Sequence, residues 1–512
     1  IFDSLLRVDD KFNWKPWLAV DLPQIEDDGK KWTFKLRSGV KFHDGQPLTS
    51  KDVRFTFEQI QHPKYQGVRA SNFSRLKGVG DLRKLYSDLN TQVEEKKLTA
   101  AEADTKKLEA YEKWRKESGA VQNPDDTTVI FQLESAYAPM LATVAGAGIL
   151  PEHLLGDLAG EKMKESDFAR KPIGSGMYKF SDWKTQDKIT LTVNKDWWGE
   201  VPNIETFVYR IFPDNNTAMA ALEKGEIDYA TIDPEQFPHF QNDVKNVKVF
   251  EYPTTSYNQL TLDLNNELFK DQKVRHALAY ALDKETMVKQ LLQGHGVAAW
   301  SHGTPSRWDY NPDVFKPVYD AAKAEQLLTE AGWVKGDDGV RVKDGKKFAF
   351  DLYFNSGEKV EAETAQVVQQ QWKKIGVEVN LKGVDFPTLL DLSDAANPDR
   401  KQPPVYVLGW SLGSEPDAYS IWACDGSFND IGYCNKRVDE LLNSGRGEMN
   451  QEKRKQIYAE MQKILAEEQP YIWLWFPNSL DGMSARVKGP VNGTPAGIFW
   501  NFNKWWIDPG TK

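Results

Sequence analysis

At 512 residues, 40% of them apolar and 27% charged, the chain has the composition of a soluble globular protein. It is too long for one hydrophobic core, so two or three domains are expected. Its 65 basic against 75 acidic residues leave a net charge of −10, which argues against a nucleic-acid partner. No apolar run approaches the roughly 20 residues of a membrane span.

In chain order, KWTFKLRS (residues 31–38) reads as a short strand in which Trp32, Phe34 and Leu36 alternate with polar residues. His43, Asp44 and Gly45 supply turn chemistry, and Thr49 or Ser50 can cap a helix whose apolar face carries Val53, Phe57 and Ile60. Leu82, Leu85, Leu89 and Val93 then recur at helical spacing, and Thr99 with Glu102 forms a capping box for a second helix through Leu108 and Tyr111. More than half of residues 94–117 are charged, so residues 81–118 read as a solvated helical hairpin. TTVIFQL (127–133) is a strand pattern and LPEHLL (150–155) a short helix. Gly174 and Gly176 precede a strand, not a helix, and so do not form a phosphate-cradling loop. Residues 207–230 read as strand, helix and strand, with Gly225 stopping the helix. QKVRHALAYALDKETMVKQLL reads as one long amphipathic helix with Val274, Leu278 and Leu282 on a shared face. The alternating helices and strands from there to VYVLGW argue for an α/β unit with substantial parallel pairing. A last helix and strand, RKQIYAEMQKILAEEQPYIWLWF, precede a tail through Val491 to Trp506 that is expected to return to the earlier part of the chain.

Catalytic signals are missing. The seven histidines are scattered, with no HExxH or other pair at ligand spacing, and neither a GxSxG elbow nor a Walker A loop occurs. No metal, cofactor or catalytic residue is therefore expected. His43 reads as a hydrogen-bonded structural residue. Cys424 and Cys434 stand ten positions apart. They are a disulfide, two idle thiols or half of a metal site; no histidine or third cysteine lies near, which disfavours metal. A disulfide is expected, contributing about 2–3 kcal/mol and implying an oxidising compartment.

The stretch GVKFHDGQPLTSKDVRFTFEQI (39–60) with the preceding KWTFKLRS resembles the signature of the extracytoplasmic solute-binding proteins of ABC importers, in the peptide, nickel and oligosaccharide family. IGSGMYKF, ALEKGEIDYA and QKVRHALAYALDK resemble further segments of that family, so the resemblance covers essentially the whole chain apart from the hairpin. It implies an α/β fold of two lobes, the Venus-flytrap arrangement of periplasmic binding proteins, with an additional domain on the first lobe. Residues 3–172 would be mainly that additional domain, 173–253 and 478–512 the first lobe, and 254–477 the second. Crossings would fall near Tyr252-Pro253 and Pro477-Asn478. In the family the IFDSL segment lies inside the mature protein, so a secretion signal and a first strand are expected to precede Ile1. The implied partners are a membrane ABC permease and a captured solute. The implied location is the periplasm or the outer face of the cell membrane, and a monomer is expected.

A binding protein needs a cleft with aromatic walls and a few polar anchors, and the 18 tryptophans are suggestive. Trp300 and His302, in a proline-rich connection with Trp308 and Tyr310, are cleft candidates because the family places this loop at the ligand. Trp410 follows the apolar strand VYVL, at the strand end where ligands of open α/β sheets bind. In peptide-binding relatives an aspartate on this segment holds the peptide's α-ammonium; counting from Trp410, Gly413 takes that place. Glu415 and Asp417 are possible substitutes, though each also reads as a turn residue beside Pro416. Trp475 and Phe476 are further aromatic platforms, Asn258 and Asn355 amide donors, Phe354 a neighbour of the latter, and Tyr257 and Phe73 looser family matches. One of Trp473 and Trp475, alternating about Leu474, is expected in the core. The missing aspartate puts short free-amine peptides in doubt. An oligopeptide remains the main expectation, with an oligosaccharide stacked on the tryptophans as the alternative and nickel complexes or opines behind it.

Overall fold

The computed structural model describes residues 1–510 apart from 66, 68, 69, 157, 159 and 395–404. An N-terminal four-stranded antiparallel sheet is ordered Gln24–Glu26, Lys31–Lys35, Thr128–Gln132, Val121–Asp125. Trp32 and Phe34 point into its core and meet the helix Ser50–Gln59, which is capped by Thr49 in a capping box with Asp52. The helices Val79–Glu94 and Ala100–Glu117 pack on this unit through Leu82, Tyr111 and Trp114, while Leu85 and Leu108 stay exposed. Thr99 and Glu102 form the capping box of the second helix.

The signature turn has a structural task. His43 Nδ1 accepts from Gly174 N–H (3.2 Å), which leaves Nε2 to donate to the Gly176 carbonyl (3.0 Å). Gly176 N–H in turn donates to the Ile1 carbonyl at 2.7 Å. A Cβ on Gly174 or Gly176 would stand 2.2 or 2.6 Å from that carbonyl oxygen, so the glycines exist to let the first residues pass. Asp3, 3% exposed, then receives the indole N–H groups of Trp17, Trp197 and Trp198 and the Ser175 hydroxyl.

A second antiparallel sheet joins Tyr178–Lys184, Lys188–Val193 and Thr206–Arg210. The C-terminal residues pack against it, with Phe502 touching the rings of Tyr178 and Phe207. The largest sheet has eight strands, and its axis is the 14-residue strand Tyr471–Ser484. From Asn478 onward that strand pairs with Tyr229–Thr231 and Val247–Pro253. Before Asn478 it pairs with Ser256–Thr261 and Gly296–Ala298. Both of its faces are covered there: Ile472, Leu474 and Trp475 enter one core, Tyr471, Trp473 and Phe476 another. Trp473 and Trp475 are therefore both buried, because a strand covered on two sides reads as a continuous apolar run and alternation no longer sorts inside from outside.

Two sequence expectations are corrected. Parallel pairing in this sheet is confined to Ala349–Asn355 with Glu378–Val384 and, briefly, with Val405–Ser411; the other ladders are antiparallel. The expected long helix is two, Gln272–Tyr280 and Lys284–Leu291. Asp283 breaks it by accepting from Thr286 N–H at 3.1 Å, a side-chain cap that competes with continued helix.

Candidate functional site

Three parallel strands end together at Asn355, Val384 and Ser411, and the helix Phe386–Ser393 follows the second of them. At this carboxyl end the sheet opens. Ala349–Asn355 pairs with Val405–Ser411 only at Leu352–Val405 and Tyr353–Tyr406, whereas Ser256–Thr261 stays paired along the strand's other side as far as Ser411. Residues 407–411 thus keep one backbone edge without a strand partner among the described residues. Leu260 and Val407 face each other within a core, but one step further that face carries Asn258 opposite Gly409, and then Ser256 opposite Ser411. Gly409, Ser411 and Gly413 are exposed, and a Cβ added to Gly413 would meet nothing within 4 Å. The Asn258 amide lies over Gly409 and is half-buried. Phe386 and Leu390, on the helix beyond the same strand ends, expose apolar side chains.

The opposite face is closed. Trp410 packs edge-on against Phe428 with ring centroids 5.5 Å apart, and is half-buried. Glu415 is half-buried and bound by both Nη groups of Arg454; Asp417 takes Arg446 Nε through both oxygens, at 2.8 and 2.9 Å. Neither carboxylate is left for a ligand ammonium, and neither is a simple turn residue. With their arginines buried, these ion pairs hold the loop after the strand in one place.

Other sequence candidates lie apart from the open face. His302 is 1% exposed, and its Nδ1 accepts from the Tyr257 hydroxyl and the Trp422 indole, both at 3.1 Å. Burial, and then the charge of Arg307, hold this imidazole well below its ordinary pKa, so it is a neutral hub of the core. Tyr257, Trp475 and Phe476 are buried with it or beside it. Trp308 and Tyr310 pin their loop, which Arg307 and Asp309 tie further by a buried pair at 2.8 Å. Trp300 is half-buried under the Lys284 ammonium, 4.5 Å from its ring centroid; burial pushes that lysine down to about 7. Phe354 packs over Gly383, and the Asn355 side chain accepts from Gly357 N–H at 3.0 Å, so its amide oxygen is held in a turn. Phe73 is 2% exposed against Phe57; its neighbours Ser74 and Arg75 are the ones that face a groove. Cys424 and Cys434 are disulfide-bonded.

The sequence profile of the bacterial extracellular solute-binding proteins, family 5, matches residues 13–431. This chain belongs to that family. Among relatives, this family 5 protein is 33% identical over 518 residues to the oligopeptide-binding protein AppA of Bacillus subtilis, spanning 99% of this chain and 86% of the relative. The structure of Bacillus subtilis AppA in complex with a nonapeptide superposes with a TM-score of 0.85 at 32% identity, covering 99% of this chain and 93% of that one. NikZ from Campylobacter jejuni in complex with Ni(L-His) does so at 0.83 and 27% identity, covering 99% and 94%. The fold is thus that of the two-lobed periplasmic binding proteins. Family 5 proteins are extracytoplasmic solute-binding components of transport systems, and no helix among the described residues is long and apolar enough to cross a membrane.

Proposed function

We propose that this chain captures an oligopeptide between two lobes and delivers it to an ABC permease in the membrane. The observation that carries the proposal is the unpaired edge of residues 407–411, faced by Gly409, Ser411, Gly413 and the Asn258 amide. An extended peptide adds to such an edge through main-chain hydrogen bonds, which require no particular side chain and no terminal ammonium anchor. The nonapeptide bound by AppA supports the same ligand class. The oligosaccharide alternative relied on aromatic platforms, and Trp475 and Phe476 are buried, 1% and 5% exposed.

The hinge falls where the two strands that join the lobes run side by side. Tyr252 is paired with Ser479 and Pro253 with Asn478, and the Thr254 hydroxyl donates to the Pro477 carbonyl at 2.8 Å. Rotation there brings the lobes together, and the ligand shifts the population toward closure through contacts that need both. On this division, residues 3–172 form the additional domain, 173–253 and 478–512 the first lobe, and 254–477 the second. The receptor acts as a monomer outside the cytoplasm. Mass spectrometry of the small molecules released on denaturing freshly purified protein tests the ligand class. A mixture of peptide masses is expected; a hexose or pentose ladder would replace the peptide with a sugar.

A further inference from the structure

The strand Leu6–Val8 pairs with Trp14–Pro16, and in that ladder Arg7 stands directly opposite Lys15. Like charges facing each other across a ladder repel, so the pair costs stability unless a negative group joins it. Arg37 comes to the same place, its backbone N–H donating to the Leu18 carbonyl at 2.9 Å. The three cations line a cavity of about 430 Å³ that Trp500 of the C-terminal segment lines as well.

Two tryptophans carry the arginines. The Arg7 guanidinium lies 3.7 Å from the centroid of the Trp17 ring, and that of Arg37 lies 4.7 Å from the Trp198 ring. Stacking on a ring holds a guanidinium in place without using its N–H groups. Among the described residues Arg7 donates no hydrogen bond, and Arg37 donates only through Nε, to the Trp17 carbonyl at 2.6 Å. The Trp500 indole nitrogen is buried and also meets no partner there. Burial lowers the Arg7 pKa, and no neighbouring acid raises it again.

The nearby carboxylates are already taken. Asp9, the acid that lines the cavity, accepts from the Lys11 and Asn13 backbone N–H groups and the Asn13 amide, and pairs with Lys15 at 3.3 Å. Asp3, at the far end of the Trp17 indole, receives three indole N–H groups and the Ser175 hydroxyl. Two guanidiniums are therefore left without an anion. The supply of free donors selects its kind. Arg7 offers all its N–H groups, Arg37 those of its Nη atoms and Trp500 one more, which is more than the two oxygens of a carboxylate accept. A phosphate brings a third peripheral oxygen and up to twice the charge.

We propose that this cavity binds a phosphate group, free in solution or carried as the headgroup of an anionic phospholipid, with Arg7 and Arg37 as its fork donors and the Trp500 indole as a further donor. No residue of the second lobe lines the cavity, so filling it does not require the lobes to close.

The test pairs two measurements at low ionic strength. Calorimetry compares inorganic phosphate with acetate, and flotation compares vesicles of equal parts phosphatidylglycerol and phosphatidylcholine with vesicles of phosphatidylcholine alone. If the ligand is a free phosphate, inorganic phosphate is expected to bind at least tenfold tighter than acetate. Preferential flotation with the phosphatidylglycerol vesicles, without that gap, assigns the site to a lipid headgroup. Arg7→Gln is expected to abolish whichever preference is found, and Trp500→Phe, which removes one neutral donor, to lower it about threefold. Thermal melts in phosphate-free buffer check that each variant is folded. Arg7→Lys, which keeps the charge and loses the fork, is expected to weaken the preference about fivefold and serves as well if Arg7→Gln does not fold. No preference of the wild-type protein for phosphate over acetate, or for phosphatidylglycerol over phosphatidylcholine, would overturn the site. A preference that survives intact in the folded variants would overturn its assignment to this cavity.

Discussion

Asn258 stands directly opposite Gly409 on neighbouring strands, and its amide nitrogen is 3.2 Å from where a Cβ on Gly409 would be. The absence of a side chain there keeps both the amide and the strand edge open at the end of the sheet. Gly409→Val fills this space at a φ open to any residue, but its Cβ would also stand 3.1 Å from the Tyr257 carbonyl oxygen, a tight contact that the neighbouring strand must yield to accommodate. The substitution is expected to weaken peptide binding at least tenfold while costing about 1–2 kcal/mol of stability, the tight contact being offset in part by valine's strand propensity. Calorimetry and a denaturant titration on the same preparation read both quantities. Unchanged affinity would move the ligand away from this edge.

The Asp3 carboxylate is the acceptor for three indoles and a hydroxyl, at distances from 2.8 to 3.2 Å. Asparagine is nearly the same size but turns one acceptor into a donor, aimed at N–H groups. Asp3→Asn is therefore expected to destabilise the protein by about 2–4 kcal/mol, as unsatisfied buried donors do. Urea denaturation followed by tryptophan fluorescence measures it. A loss below about 0.5 kcal/mol would mean that the indoles find other partners.

These residues differ in how far the sequence exposes them. The capping boxes of Thr49 with Asp52 and Thr99 with Glu102 span three residues, and local spacing is enough to read them. The cap at Asp283 is equally local; it was hidden by an apolar period that continues across the break between two helices. The partners of Glu415 and Asp417 lie 39 and 29 residues away, so nothing near either acid tells a spoken-for carboxylate from a free anchor. His302 looks like a loop residue beside Trp300, yet what buries it is the distant Tyr257 and Trp422. The open edge is harder still, since it depends on where pairing between two strands stops. Only the small residues Gly409, Ser411 and Gly413, alternating after an apolar strand, hinted at it.

The bond between Cys424 and Cys434 closes a short loop that carries Asp425 and Ser427 to the groove faced by Ser74 and Arg75. Reduction is expected to lower stability by about 2–3 kcal/mol, chiefly by freeing the unfolded chain. Thermal melts with and without dithiothreitol read this change. Thiol alkylation of unreduced, denatured protein should label neither cysteine; labelling of both would remove the bond from the native protein.

Glu361 is the clearest source of pH dependence. Burial pushes its carboxyl up to about 7, with Glu358 adding in the same direction, and only the Asn355 N–H at 3.1 Å opposes the shift. The surrounding charges are mainly acidic: Asp214, Asp233, Glu235, Glu358 and Glu363 line the adjoining cavity, with Lys359 paired to Glu235 and Glu363. A carboxyl whose pKa is higher folded than unfolded keeps its proton in the native state while the unfolded chain has lost it. Its contribution to stability is therefore complete below the ordinary glutamate range and declines as pH rises toward 7, then stays flat. Glu361→Gln has no proton to lose and retains an oxygen for the Asn355 N–H. The variant is expected to match wild type near pH 4.5 and to exceed it by up to roughly 2–3 kcal/mol at pH 8. Denaturant titrations at the two pH values give the comparison. A stability difference independent of pH would show that Glu361 ionises in the folded protein as it does in the unfolded chain.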